Sequence, residues 1–149
     1  MPSDREWSTA AGMLEEGGNT PEERDGKVRD FPWGKQWPPP PGSGNFADFP
    51  SKRGVTGDPR LPRWFRADLA GGQLPAQSHR LFDMSGNVWQ WCLDSYKGVS
   101  TGARDWGVLR GGSWGTASPS ELRSSYRNVV ERSERDVIYG FRCVLVPEK

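Results

Sequence analysis

Apolar residues occupy a few short segments of the chain, and long polar stretches separate them. Near the start, Trp7 follows an S-x-x-E pattern formed by Ser3 and Glu6. Such a capping box satisfies the first free N–H groups of a helix. It predicts a short helix over residues 4–11 that ends at Gly12, because glycine readily adopts the left-handed conformation that closes a helix.

Two later segments combine apolar side chains with turn residues. Residues 81–91 contain a Ser-Gly-Asn turn followed by Val88, Trp89 and Trp91, which we expect to be largely buried. Residues 108–114 predict a strand that runs into two consecutive glycines, where the backbone can approach a neighbouring segment closely.

The last third of the chain carries two further signals. Ser118 and Glu121 form a second capping box with proline between them, which predicts about one turn of helix. Residues 139–146 are rich in aromatic and β-branched side chains and predict a central strand. Residues 13–30 are polar and turn-rich and predict a surface loop, and residues 42–80 show no convincing periodicity.

The composition is poor in hydrophobic residues (34%) but rich in glycine (19), proline (13) and tryptophan (8). A buried aromatic ring covers about 150–250 Å², so a few rings can fill a core that has few aliphatic residues. A length of 149 residues suits one domain. We expect a loop-rich globule in which the prolines of residues 38–41 pack on Trp33, Trp37 and Phe46. The alternative for these prolines is a polyproline helix that binds a partner domain.

Charge and hydropathy argue against several classes of protein. The chain has 20 Lys and Arg against 19 Asp and Glu, so it lacks the basic field that holds nucleic acid. The basic and aromatic tract at residues 60–66 could form an anionic-ligand patch, and we interpret it as a solvated loop. No apolar run approaches the roughly 20 residues of a membrane span, and residues 1–6 show no signal peptide. These features predict a cytoplasmic protein without nucleic-acid or membrane partners.

Few side chains suit metal binding or nucleophilic catalysis. Cys92, Cys143 and the single histidine, His79, argue against a zinc site. We interpret the cysteines as two buried thiols, and a disulfide between them is the alternative. The charged residues of segment 131–136 predict a solvated ion-pair surface.

Six motifs occur in an order and spacing typical of one family, and they run nearly end to end. They are PSDREW at 2–7, FPWG at 31–34, GNFA at 44–47, LFDMSGNVWQW at 81–91, LRGGSW at 109–114 and GFRCV at 140–144. The chain resembles formylglycine-generating enzymes, also called sulfatase-modifying factors. The same domain occurs in ergothioneine-type sulfoxide synthases and in the variable proteins of diversity-generating retroelements.

This resemblance implies an α+β, C-type-lectin-like fold with few short helices, long structured loops and a small twisted antiparallel sheet. It implies a single domain over residues 1–149 that corresponds to the C-terminal portion of the usual family domain. The family's first strand pairs with its last, which here lies at about residues 140–146. We therefore expect another segment or chain to complete the sheet, because an open apolar edge is prone to aggregation.

The catalytic members bind copper through two thiolates, since soft ligands select monovalent copper. Thr116 stands at the position of the first cysteine, and the second falls near Glu121. Copper is therefore not expected. Trp89 and Ser113, which match residues of the catalytic cleft, could then only shape a pocket. The sulfoxide synthases use a separate histidine-rich iron domain, which a chain with one histidine cannot supply.

The resemblance also implies a calcium site around the tryptophan motif. Its ligands would be the side chains of Asp83 and Gln90 and the carbonyl oxygens of Gly86 and Val88. Calcium prefers about six to eight hard oxygens, and carboxylates drive its affinity. Because Gln90 stands where the family has glutamate, we expect a weakened or vacant site.

Without the cysteine pair, the resemblance predicts a non-catalytic binding or scaffold module that displays the loop over residues 113–140 to a protein or a small ligand. The candidate cleft residues are Trp89, Ser113, Trp114, Thr116, Glu121, Tyr126 and Arg127. Two alternatives stay open. One is an oxidoreductase that converts a sulfatase cysteine to formylglycine, and the other is a retroelement-diversified ligand-binding protein.

Overall fold

A computed structural model describes residues 1–40, 43–46, 81–98 and 105–145. They form two short helices, α1 (Asp4–Ala10) and α2 (Pro21–Arg24), and four strands: β1 (Trp89–Ser95), β2 (Trp106–Arg110), β3 (Asn128–Glu131) and β4 (Tyr139–Phe141). Within these four ranges, no helix is long and apolar enough to cross a membrane. The small sheet, short helices and long loops confirm the α+β, loop-rich fold class.

The strands form one sheet in the order β3-β2-β1-β4. The β1–β2 and β2–β3 pairs are antiparallel, whereas β4 runs parallel to β1, with Trp89 opposite Tyr139. The sheet is therefore mixed and not wholly antiparallel as expected. The reason is that residues 132–138 carry the chain from the β3 edge to the opposite edge, and parallel pairs require such crossing connections.

Strand β4 lies at an edge of the sheet and not at its centre, so the prediction of a central strand is wrong. Within the described part of the chain, β1 is its only strand partner. Phe141 is 67% exposed, and Leu145, just beyond the strand, is 95% exposed. Cys143 is exposed as well and unbridged, so the interpretation of two buried thiols holds for Cys92 alone.

Helix α1 packs against the sheet through Trp7. Its capping box is present, because Ser3 Oγ accepts from the Glu6 N–H and the Glu6 carboxylate accepts from Ser3 N at 2.7 Å. Gly12 follows with a φ of 86°, so the predicted helix and its end are confirmed. The main core around Trp7 contains Ala11, Met84, Cys92 and Val108.

A second core lies around Phe46 and Leu122, against which Phe31, Trp33 and Trp37 pack. The rings of Phe31 and Trp33 are stacked at a centroid distance of 4.9 Å. Pro39, next to this ring cluster in sequence, is buried. The packing of the proline run on these rings stays a prediction.

The predicted helical turn at Ser118 does not form. Residues 119–122 make successive turns, in which Glu121 N donates to Ser118 O at 3.1 Å. The Ser118 hydroxyl instead shares a hydrogen bond with Ser120 Oγ at 2.7 Å, so it does not act as a helix cap. The basic tract at residues 60–66 and His79 lie outside the described residues.

Candidate functional site

The end of β2 leads into a tight turn that contains two predicted cleft residues, Ser113 and Thr116. Gly111 and Gly112 precede it with φ values of 94° and 77°, which glycine adopts without strain. A Cβ atom at Gly112 would lie 2.8 Å from Leu122 Cδ2, so Leu122 packs directly on this backbone. The second glycine therefore lets the turns of residues 118–125 approach the end of the sheet.

Ser113 and Thr116 are bonded to each other inside this turn. Thr116 Oγ1 accepts from Ser113 N at 3.0 Å and lies 3.2 Å from Ser113 Oγ. Ser113 Oγ also accepts from Gly115 N at 3.2 Å. The two side chains are 0% and 4% exposed. Their hydroxyls therefore stabilise the turn, and neither projects from the displayed surface.

Trp89, Glu121 and Tyr126 form a second group, which we call the aromatic–acid group. The rings of Trp89 and Tyr126 lie 6.0 Å apart at 43°. Trp89 is buried as predicted, whereas its neighbours Val88 and Trp91 are only half-buried. Burial raises the pKa of Tyr126, and the charge of Glu121 adds to this increase. Three of the predicted cleft residues are thus linked, Trp89 to Tyr126 by ring packing and Glu121 to Tyr126 by its charge.

The carboxyl of Glu121 is half-buried, and burial raises its pKa above the usual value. Among the described residues, its side chain makes no hydrogen bond or ion pair. Unpaired carboxylates in such surroundings are costly, because they have lost part of their hydration without gaining a cation. Within the described residues, Glu121 is therefore a half-buried acid whose negative charge is not balanced by a neighbouring cation.

Arg127, also a predicted cleft residue, lies apart from the aromatic–acid group. It is 2% exposed and belongs to a buried ion-pair network beneath α1. Its Nη1 donates to Glu16 Oε1 at 2.6 Å, and its Nη2 donates to Asp4 Oδ2 at 3.0 Å. Burial alone would lower the pKa of Arg127, but these carboxylates raise it above its usual value. The Arg127 side chain is thus buried and paired inside the fold.

Two further arginines complete this network. Arg24 Nη2 donates to Asp4 Oδ2 at 2.8 Å, and Arg110 Nη1 bonds Asp4 Oδ1. Burial opposes ionisation of Asp4, but the charges of Arg110 and Arg127 outweigh it and hold the Asp4 pKa below its usual value. Sequence reasoning missed the network, because residues 13–30 look like a solvated loop and nothing local distinguishes their buried members.

Neither cysteine is placed to serve as a soft metal ligand of the predicted cleft. Cys92 lies on β1, and burial raises the pKa of its thiol to about 12. Cys143 lies beyond β4 on the exposed edge. Within the described ranges, no group of three or more His, Cys, Asp or Glu side chains could hold a metal ion. The donor set that this part of the chain presents does not fit the copper centre of the catalytic relatives.

Gln90, one of the implied calcium ligands, does not fit a metal ion either. Gln90 Oε1 accepts from Trp7 Nε1 at 2.8 Å and from Arg142 Nε at 2.6 Å. Its Nε2 donates to the carbonyl oxygen of Asp83 at 2.5 Å. The Gln90 side chain therefore offers hydrogen-bond donors to the loop where calcium would need an oxygen.

Comparison with known proteins gives these features a context. The sequence matches the sulfatase-modifying factor enzyme 1-like domain over residues 1–146. The chain belongs to this family. Among its sulfatase-modifying factor relatives, the inactive C-alpha-formylglycine-generating enzyme 2 of Bos taurus is 28% identical over 149 residues, covering 96% of this chain and 42% of that protein.

Two other proteins match most of the chain. Hercynine oxygenase of Mycolicibacterium smegmatis is 29% identical over 161 residues, covering 95% of this chain and 32% of that protein. The crystal structure of CarF superposes with a TM-score of 0.58 at 21% identity, covering 95% of this chain and 45% of that one. This likeness confirms the sulfatase-modifying factor fold. The chain spans less than half the length of each of these proteins.

Proposed function

We propose that this sulfatase-modifying factor domain is a non-catalytic binding module whose ligand-facing surface lies within residues 113–140. The observation that carries the proposal is the environment of Thr116. At the position of a copper-binding cysteine, this residue has a buried hydroxyl that is engaged by Ser113. Glu121, near the second position, supplies a hard oxygen that monovalent copper disfavours. A relative that bears the name of an inactive enzyme covers almost the whole chain, which supports a non-catalytic role.

The aromatic–acid group favours a positively charged ligand. The Glu121 carboxylate has no cation within the described residues. Its charge acts on Tyr126, whose ring packs against Trp89. Ammonium and guanidinium groups gain both from a carboxylate and from an aromatic face. The ligand class would thus be a lysine- or arginine-bearing protein segment, or a small organic cation.

Titration with simple cations tests this proposal. Methylguanidinium and tetramethylammonium would be added to isotope-labelled protein, and backbone amide shifts around Tyr126 would be followed by NMR. We expect saturable shifts that weaken about tenfold in Glu121→Gln, the effect of losing one charge-assisted contact. Glu134→Gln, at an exposed position of the same loop, is the matched control and should bind as the wild type does. Equal binding by all three proteins would refute the role of Glu121.

The same substitution, Glu121→Gln, also tests whether the charge of Glu121 stabilises the fold. Because the pKa of Glu121 is raised in the folded protein, its ionisation opposes folding at neutral pH. The protonated Glu121 side chain stabilises the folded protein below the usual glutamate pKa. This stabilisation is lost as the pH rises through the raised pKa of the folded state. Glu121→Gln should therefore increase Tm at pH 7 and leave it unchanged near pH 3. A decrease at pH 7 would mean that the carboxylate has a structural partner.

We also propose that an extended segment pairs with the free edge that β4 has among the described residues. Phe141 and Leu145 expose apolar side chains there, and in this part of the chain only β1 pairs with the strand. An open apolar edge invites strand addition. The added strand could belong to a longer chain or to a partner protein.

A further inference from the structure

The loop over residues 82–90 is held by a carboxamide and a guanidinium. Gln90, at the beginning of β1, is 3% exposed, and Arg142 directly follows β4. We propose that the Gln90 carboxamide, held in place by Arg142, takes the place of a divalent cation in this loop. In this arrangement the wild-type domain does not respond to calcium, and the single change Gln90→Glu creates a calcium-responsive loop.

The hydrogen bonds of Gln90 fix the orientation of its amide group. The two groups nearest Oε1, the Trp7 indole N–H and the Arg142 guanidinium, can only donate. The group nearest Nε2, the Asp83 carbonyl, can only accept. A rotation of the amide by 180° would place donor against donor and acceptor against acceptor at all three contacts. The NH2 group therefore faces the loop.

Arg142 supplies the positive charge. Its Nη2 donates to the carbonyl oxygen of Phe82, while its Nε holds Gln90 Oε1. Burial lowers the pKa of Arg142, and the nearby charge of Asp83 partly offsets this effect. The carbonyls of Phe82 and Asp83, adjacent in sequence, thus both bond to nitrogen donors. These are oxygens of the kind that a calcium ion would bind.

The loop positions the candidate binding face. Gly86 N donates to Gly111 O at 2.8 Å, and Trp114 N donates to Asn87 O at 2.8 Å. The backbone between Asp83 and Gln90 therefore supports both the glycine pair and the turn that contains Ser113. Any change in how this loop is held should alter the stability of that turn.

Gln90→Glu changes one contact and keeps the others. One carboxylate oxygen still accepts from Trp7 and Arg142, but the other meets the Asp83 carbonyl oxygen, so two acceptors face each other. A calcium ion between them would resolve this conflict, with Asp83 as a second carboxylate nearby. The variant should therefore be less stable than the wild type without calcium and should recover with it.

The experiment is thermal unfolding, followed by tryptophan fluorescence, in EDTA and in millimolar calcium. We expect the same Tm in both conditions for the wild type. For Gln90→Glu we expect calcium to raise Tm by about 3–6 °C, the shift for an ion near ten times its Kd. Gln36→Glu makes the same chemical change at an exposed position and should show no calcium effect.

Two results would overturn the proposal. One is a calcium-dependent Tm of the wild type that disappears in Asp83→Ala, and the other is a folded Gln90→Glu protein without any calcium effect. Should Gln90→Glu fail to fold, NMR of the wild type decides the matter. The Gln90 side-chain NH2 signal should then show slow hydrogen exchange and no shift on calcium addition, and a calcium-induced shift would contradict the proposal.

Discussion

Replacing Glu16 with glutamine tests the buried ion-pair network directly. Glu16 accepts from Arg127 Nη1 at 2.6 Å, from Arg127 Nη2 at 2.7 Å and from Ser8 Oγ at 2.7 Å. A glutamine of the same shape keeps one acceptor oxygen but turns an N–H donor toward the arginine or the serine. The neighbouring Glu15 is exposed, so Glu15→Gln is a matched control one residue away.

The size of the effect follows from the charges. Three arginines and two carboxylates give the network a net charge of +1, and the substitution raises it to +2. Breaking one partner of a buried pair costs about 3–5 kcal/mol. Because Asp4 still neutralises Arg127, we expect the lower end, about 3 kcal/mol. This corresponds to a decrease in Tm of roughly 6–12 °C for a domain of this size.

Urea denaturation followed by tryptophan fluorescence measures this cost, and urea avoids the salt that would screen the charges. Glu16→Gln should lower the free energy of unfolding with an unchanged m-value. Glu15→Gln should stay within about 0.5 kcal/mol of the wild type, as surface substitutions usually do. If the two variants are equally stable, the network does not contribute as described.

Three further predictions concern other parts of the molecule. Cys143 should react with iodoacetamide at pH 8 in the folded protein, whereas Cys92 should react only after denaturation. The reason is that Cys92 is buried and has a pKa of about 12, and equal labelling of the two thiols would contradict this. Burial disfavours the Asp4 anion, but the Arg110 and Arg127 guanidinium groups outweigh it and lower the Asp4 pKa. The ionised Asp4 therefore stabilises the folded protein fully above about pH 3.9, and this stabilisation disappears as the pH falls through the lower pKa of the folded state. Asp4→Asn should remove that step from an acid titration followed by circular dichroism, and its persistence would argue against the pairing. Leu145→Glu should leave Tm unchanged, because Leu145 is 95% exposed and surface substitutions usually change stability by less than about 0.5 kcal/mol, and a clear decrease in Tm would mean that Leu145 is covered.

Features set by neighbouring residues could be predicted from the sequence. Ser3, Glu6 and Gly12 define α1, because capping and the left-handed closing residue act within a few positions. The glycine pair Gly111–Gly112 indicates that another segment approaches the backbone closely, and in the structure the Leu122 side chain packs on Gly112.

Features set by distant residues could not be predicted. Glu16 and Arg24 occur in a polar segment, and their burial depends on Arg127, which lies 111 positions after Glu16. The apolar run of β4 predicts a central strand, but the sequence pattern does not show which strands pair with it. The orientation of the Gln90 amide depends on Trp7 and Arg142, neither of which is local to the loop. For the same reason, Arg127 looked like a cleft residue.

A direct activity assay tests most sharply whether this domain binds without catalysing. A peptide with the sulfatase-type Cys-x-Pro-x-Arg pattern would be incubated with the purified chain, copper and oxygen, and examined by mass spectrometry. We expect the peptide cysteine to remain unmodified, because Thr116 stands at the position of the first copper thiolate and the second falls near Glu121. Conversion of that cysteine to the formylglycine aldehyde would contradict a non-catalytic role.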